Sequence, residues 1–577
     1  MTRPRTITTG IAAALLAAIG LGATVITQGT QIPAPQPADL VLRGGRIITL
    51  DERTPTAQAL ASRNGAIVFV GTDAAVAAYV GPGTQVIDLA GKTAIPGLIE
   101  GHGHFTGVGE NKINLDLMNT KSWEEIVHQV AMAVEKAKPG EWFIGRGWHQ
   151  EKWSSVPTPN VEGFPTHLSL DKVSPNNPVI LTHASGHASF ANAKALELSS
   201  ISSTTANPSG GEILKDKAGN PTGLLRETAS RLVRRGAGEP TPTQAEADTR
   251  AMKVLELADQ EAISKGITSF QDAGSSFEVV NNMKRMIDAG RMNVRLWVMV
   301  REYDPKQLAA NRVIGYGNNR LTVRAIKMTG DGALGSRGAW LLEPYSDKAD
   351  SVGLPTTPVA TMRQNAQVAL EAGYQVCIHA IGDRANRETL NIYEETFKKN
   401  GKNGPDLRWR VEHAQHINAA DIPRFGQLGV IAAMQGVHCT SDAPWVEPRL
   451  GARRAEEGAY VWQKLMKSGA VVTNGTDAPV EDVDPIASYY ATVTRKAKDG
   501  KVFYGDQKMS RMEALKSYTL SNAFAAFEED IKGSLRAGKL ADITVLTKDI
   551  TTVPDDEILT AKVAYTIIGG KVAYKAQ

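Results

Sequence analysis

A chain of 577 residues, 42% hydrophobic and 22% charged, can bury a large core and is too long for one ordinary domain. Its 64 basic and 61 acidic residues are interspersed and leave a formal charge of only +3, which excludes a nucleic-acid-binding surface of one sign and points to a small-molecule partner. The two cysteines, Cys377 and Cys439, sit in apolar, strand-like runs, so neither a disulfide framework nor a thiolate zinc cage is expected.

The chain opens with Arg3 and Arg5, an apolar run from Gly10 to Ile26 and a Pro-rich tail, so residues 1–35 read as a signal peptide or, uncleaved, an N-terminal anchor. The body is then exported, periplasmic or extracellular, and meets a membrane only through that segment. From 36 to 97, "DLVLRGGRIITLD" and "AIVFVGTD" read as short strands, with Asn64-Gly65 as a hairpin turn. Residues 528–577 have the same character, in "LADITVLTKD" and in two strands joined by Gly569-Gly570. Strands at both ends predict one small sheet domain assembled from the two termini.

Between them, residues 98–527 alternate apolar β-rich runs ("NVRLWVMV", "AIKMTG", "GYQVCIHA", "RWRVEHA", "GVIAAMQ", "AVVTNGT") with amphipathic helical runs such as "TMRQNAQVALEA". That alternation predicts an α/β fold with a parallel sheet, closed into a (β/α)8 barrel because polar residues recur where such strands end. The stretch exceeds the usual barrel of about 250 residues, so an insertion is expected at about 140–245, which is rich in Ser, Pro, Asn and Gly.

Alternate residues of a strand share a face, so His102 and His104 in "IPGLIEGHGHF" project together into the barrel mouth. Each of His379 ("QVCIHAIGD"), His413 ("RWRVEHAQH") and Asp477 ("VVTNGTDAP") also ends an apolar run. Singly, each has a plain reading as a core histidine or a helix cap. Together they make a set of imidazole and carboxylate donors suited to zinc or a similar first-row divalent ion. Lys327 ends another strand, as a buried lysine paired with Asp331, as an active-site cation or, its pKa lowered by burial, as a carbamate whose oxygens could bridge two ions.

These motifs, with "IKMTGDGALGSRGAWL" and the closing "IKGSLRAGKLADITVL", resemble the amidohydrolase superfamily, specifically amidohydrolase family 3, the YtcJ-like metal-dependent hydrolases. The resemblance implies a distorted TIM barrel with a small urease-like β-sandwich built from both chain ends. It implies that His102, His104 and Asp477 hold one metal, that His379 and His413 hold a second, and that a carboxylated Lys327 bridges them. The implied activity is hydrolysis of a C–N bond in an amide, N-substituted formamide or cyclic amide by a metal-activated hydroxide, with Asp477 moving the proton. His187 in "HASGHASF" resembles a position placed near the substrate, where it would steady the oxyanion. Departures are Glu100-Gly101 where Asp-Ser is usual, and His149 where an acidic residue is common. Trp148, His149, Gln435 and His438 are expected to contact substrate, with Trp445 beside them, while Asp383, Arg384, Gln415 and His416 are expected to orient ligands. A non-catalytic binding barrel, or a lyase or isomerase on the same scaffold, are the alternatives, and homo-oligomerisation stays open.

Overall fold

The computed structural model describes residues 35–577, so the leader expected at 1–35 lies outside the described residues except for its last position. Eight parallel strands follow the predicted alternation: β1 (Leu98–Gly103), β2 (Ile267–Ser275), β3 (Arg295–Val300), β4 (Leu321–Thr329), β5 (Gln375–Ala380), β6 (Arg410–His413), β7 (Ile431–Gln435) and β8 (Val472–Gly475). They pair in sequence order, and helices such as Val359–Glu371 and Asp383–Asn400 run between successive strands. This is a nearly closed, distorted TIM barrel. The strand "ITSFQDAGS" carries Gln and Asp among apolar residues and is the one barrel strand besides β1 that the β-rich runs did not mark out.

The barrel closes where β8 meets β1. Just past β8, Asp477 donates its backbone N–H to the His102 carbonyl (2.7 Å), and His104 N–H donates to Ala478 O (2.7 Å). The departure from Asp-Ser has its reason at this seam. A side chain at Gly101 would put its Cβ 2.3 Å from Asn474 O and 2.4 Å from Asn522 Oδ1, so only glycine lets the strands approach. Glu100 spans the same seam: its Oε1 accepts Thr476 N–H at 2.6 Å and its Oε2 accepts the Thr476 hydroxyl at 3.1 Å. Burial pushes its pKa up to about 8, against the lowering effect of the Thr476 bonds.

Both chain ends build the second part. Strands Ile543–Leu546, Val563–Ile568 and Lys571–Lys575 join Thr93–Pro96, Arg46–Ile48 and Thr56–Ala57 in one six-stranded sheet, and a four-stranded sheet of residues 40–88 packs with it around Leu40, Leu60, Ile543 and Ile567. Both predicted hairpin turns sit where expected, with Asn64 and Gly65 at φ 51° and 81° and Gly569 and Gly570 at 58° and 71°. The segment of irregular composition carries its own six-stranded sheet, drawn from residues 115–227. Its central strands are buried on both faces, so they show no alternation in sequence.

A buried ion pair ties barrel to sandwich: Arg295 of β3 meets Asp542 through Nε–Oδ2 (2.7 Å) and Nη2–Oδ1 (3.0 Å). Burial favours the neutral acid, but Arg295 outweighs it and the Asp542 pKa is lowered. A depressed folded-state pKa gives stability that is present above about pH 4 and is lost as the pH falls through the folded value. Asp542→Asn leaves a buried guanidinium without its counter-charge, so the expected loss is about 3–5 kcal/mol at pH 7. The variant should also lose the part of the acid sensitivity that Asp542 supplies, as thermal unfolding at pH 7 and pH 3 would show. Equal unfolding temperatures at pH 7 for variant and wild type would refute this.

Candidate metal centre

The predicted ligands converge at the C-terminal mouth of the barrel, where the ends of several strands meet. His102 is fully buried on β1, and its Nδ1 is hydrogen-bonded to Glu412 of β6. Burial, reinforced by Lys327, lowers the His102 pKa to about 4. The ring is therefore neutral, with its proton on Nδ1 facing the carboxylate and the Nε2 lone pair facing the mouth. That Nε2 lies 3.3 Å from Lys327 Nζ and 3.5 Å from Asp477 Oδ1. His104 brings its Nε2 to 3.2 Å from the same Asp477 oxygen.

Asp477 is the centre of the cluster. Burial would raise its pKa, but His104, His413 and His102 hold it well below the usual carboxylate range. Its Oδ1 is buried with only the imidazole nitrogens of His104 and His102 beside it, and His379 Nε2 is buried without a hydrogen-bond partner. Buried polar atoms left without hydrogen-bond partners are what a divalent cation satisfies, and neutral imidazole with carboxylate is a fitting donor set. His102, His104 and Asp477 form one group with ligand atoms mutually within 4.8 Å, and His413, His438 and Asp477 form another. The rings of His379 and His413 lie 4.4 Å apart, and those of His102 and His413 4.6 Å apart. Both His413 and Asp477 hold positive φ (75° and 58°), a strained conformation that is found where a side chain must be aimed.

Lys327 emerges on β4 beside His102 rather than against Asp331. Burial lowers its pKa to about 8. Asp331 instead accepts backbone N–H groups of Ile381 (2.9 Å), Gly382 (2.8 Å) and Trp340 (2.8 Å), and its Oδ1 lies 3.6 Å from His379 Nε2. Burial outweighs those three bonds and pushes its pKa up to about 7. Of the readings open for Lys327, pairing with Asp331 is therefore not the one the structure shows: the acid supports the loop that frames His379.

The substrate-side residues divide. A cavity of about 50 Å³ over the cluster is lined by His149, His187, His438 and Trp445 together with His379, His413 and Asp477. Burial opposes charge on His187, but Glu227, accepting at 2.7 Å from Nδ1, outweighs it and raises the pKa. His438 lies within ligand range of Asp477, yet Gln415 donates to its Nδ1 (3.0 Å), which leaves its proton on Nε2 as a donor into the cavity. Gln435 is not on the wall. Its Oε1 accepts from His413 Nδ1 at 2.8 Å and fixes that ring with Nε2 outward. Trp148 is also misplaced by the sequence reading, being fully buried in the core of the inserted sheet with its indole N–H on Leu181 O. Asp383 accepts Leu342 N–H and Arg384 lies over Trp340, so both shape the loop after β4 rather than a ligand. His416 is buried beside Tyr460.

Sequence reasoning missed Glu412 and Arg410. Arg410 pairs with Glu412 through Nε–Oε1 (2.7 Å) and Nη2–Oε2 (2.9 Å), both side chains fully buried. Burial would raise the Glu412 pKa, but Arg410 and His102 hold it well below the carboxylate range. The alternation Arg-x-Glu on a strand ending in a ligand histidine was the available signal.

Fold and cluster together define a barrel hydrolase that works with a divalent metal. Residues 85–574 match the model of the amidohydrolase family, and the chain belongs to that family. It is 30% identical to the putative amidohydrolase YtcJ of Bacillus subtilis, over 93% of this chain and 99% of that one. It is 26% identical to an N-substituted formamide deformylase of Arthrobacter pascens, over 94% and 99% of the two chains. Among solved structures, a metal-dependent hydrolase from Pyrococcus horikoshii superposes with a TM-score of 0.70 at 25% identity, covering 90% of this chain and 99% of that one.

Proposed function

We propose that the protein hydrolyses a C–N bond of a small amide, N-substituted formamide or cyclic amide. The observation that carries this reading is the cluster of His102, His104, His379, His413, Lys327 and Asp477, with neutral imidazoles and an ionised carboxylate around unpartnered buried atoms. The deformylase relative, which acts on N-substituted formamides, supports the bond class. His102, His104 and Asp477 would hold one divalent ion, His379 and His413 a second, with zinc suited to such nitrogen and oxygen donors. Lys327, as its neutral amine, would add carbon dioxide and release a proton, and the resulting carbamate would join the residues that hold the metal. Bound there, the metal supplies a water acidified to a pKa of about 7 and a polarised carbonyl.

The chain's own groups do the rest. Asp477 accepts the proton of the attacking water and delivers it to the leaving nitrogen. His187, whose protonated form Glu227 favours, is placed to donate to the oxygen on which negative charge develops, and His438 Nε2–H is placed to orient the same carbonyl. His149 and Trp445, their rings 4.7 Å apart, close the wall and exclude water.

The test is turnover of a panel of formamides and amides in ¹⁸O-labelled water by zinc-loaded protein. Label in the carboxylic acid product is expected, with activity lost on chelation by at least about 100-fold and restored by zinc. Turnover without label would replace hydrolysis by a lyase or isomerase reaction, and chelator-resistant turnover would remove the metal from the reading.

A further inference from the structure

A second cavity, of about 660 Å³, opens beside the metal cluster, with His104 and Pro479 on one side and the inserted sheet on the other. Its wall carries four arginines, Arg146, Arg231, Arg235 and Arg250, against one acidic residue, Glu110. Glu110 is ion-paired to Arg250. Among the described residues no carboxylate lies within ion-pair distance of Arg146, Arg231 or Arg235; Asp477 and Glu110 act on Arg146 and Arg235 only from farther off, so the cavity keeps an excess of positive charge.

Arg146, on the strand Phe143–Trp148, is held by two carbonyls, with Nη2–H donating to Ala184 O (3.1 Å) and Nε–H to Pro479 O (3.4 Å). Those contacts fix its plane and leave Nη1 for the cavity. Burial, with Arg235 adding to it, pushes the Arg146 pKa down to about 10 even though Asp477 acts the other way, so it stays charged at neutral pH. Arg301, close enough to Arg231 to feel its charge, has no carboxylate within ion-pair distance among the described residues and donates to Thr329 Oγ1 (3.5 Å) and Ala273 O (3.3 Å).

Arg146 is half-buried and Arg231, Arg235 and Arg250 stand exposed around the same cavity, so like charges converge on one concave site where an anion would relieve their repulsion. The planar fork of arginine matches carboxylate and phosphate oxygens in pairs. The overall charge of +3 makes this local excess a feature of the site rather than of the surface. Resting on the amide-hydrolase reading, we infer that the substrate carries a carboxylate or phosphate group away from the scissile bond, received in this cavity by Arg146 with Arg231 and Arg235. N-formyl and N-acyl amino acids are the class of amide that meets this description.

Two measurements separate this inference from the reading it rests on. In calorimetric titration of metal-loaded protein with succinate and with inorganic phosphate, the wild type should bind at least one of them. Arg146→Gln and the double variant Arg231→Gln/Arg235→Gln, the latter at exposed positions where folding is not at stake, should each bind at least about tenfold more weakly. The dianion held more tightly identifies the group, carboxylate or phosphate. No binding by the wild type, or affinities in the variants within twofold of it, would overturn the inference, the second result meaning that the anion sits on the metal. In turnover, an N-formyl amino acid should exceed its own carboxamide at least about tenfold in kcat/KM, and Arg146→Gln should erase that preference. A preference unchanged in the variant also overturns it. If no amide of either kind is hydrolysed, the hydrolase reading falls and the titration alone decides for or against the anion site.

Discussion

Lys327→Ala is expected to hold about one divalent ion per chain or fewer where the wild type holds about two. The lysine lies buried at the end of β4, its Nζ 3.3 Å from His102 Nε2, and its burial outweighs the pull of Glu412 and Asp477 toward the charged form. A pKa of about 8 leaves a useful fraction as free amine at neutral pH, which is the form that reacts with carbon dioxide. In the carbamate the charge changes sign, so the repulsion an ammonium would exert on divalent ions held by this cluster would become attraction. The alanine variant lacks both bridging oxygens, so metal content and turnover fall together, turnover by at least about 100-fold, the scale seen when even the outer support of a metal site is disturbed. Metal analysis of both proteins and carbamate labelling by ¹³C-bicarbonate would check this. Two ions retained in the variant, or one ion bound equally by both proteins, would sink the bridging role and leave Lys327 as a simple active-site cation.

Much of this centre was legible because a barrel strand advertises its end. His102, His379 and Asp477 each close an apolar run, and the parallel pairing of β1 to β8 brings such ends to one mouth whatever the intervening loops do. Glu412 was not legible, for a local reason. Strand alternation sets it opposite His413, and only the positive φ of His413 turns that imidazole back to the mouth while Glu412 and Arg410 stay in the barrel interior. Trp148 was misjudged because its strand belongs to the inserted sheet, where a terminal aromatic is core rather than wall. The arginine-lined cavity was also out of reach. Its charges come from a strand at 146, a short 3-10 helix at 231 and a turn at 235, which sequence spacing does not relate.

The residue the sequence concealed carries the second large expected effect. Glu412→Ala should both weaken metal binding by about 10–100-fold and destabilise the protein by about 3–5 kcal/mol, through two separable causes. The first is the lost acceptor at His102 Nδ1, without which neither the tautomer nor the ring plane that aims Nε2 is imposed. The second is Arg410, which then keeps only Gln271 Oε1 and Gly101 O, two neutral acceptors around a buried charge. Glu412→Gln separates them: the amide oxygen can still accept from His102, so metal affinity should largely return while the stability loss remains. The double variant Arg410→Met/Glu412→Leu does the opposite, because removing both charges relieves the uncompensated guanidinium yet leaves His102 unsupported. Thermal unfolding and zinc competition on the three variants give a pattern that a merely space-filling Glu412 would not produce. Wild-type zinc affinity in Glu412→Ala would refute the orienting role outright, and parallel losses of stability and affinity across all three would reduce it to packing. The contrast between the glutamine and double variants therefore decides whether β6 supplies this centre with one ligand or with a ligand and the carboxylate that aims its neighbour.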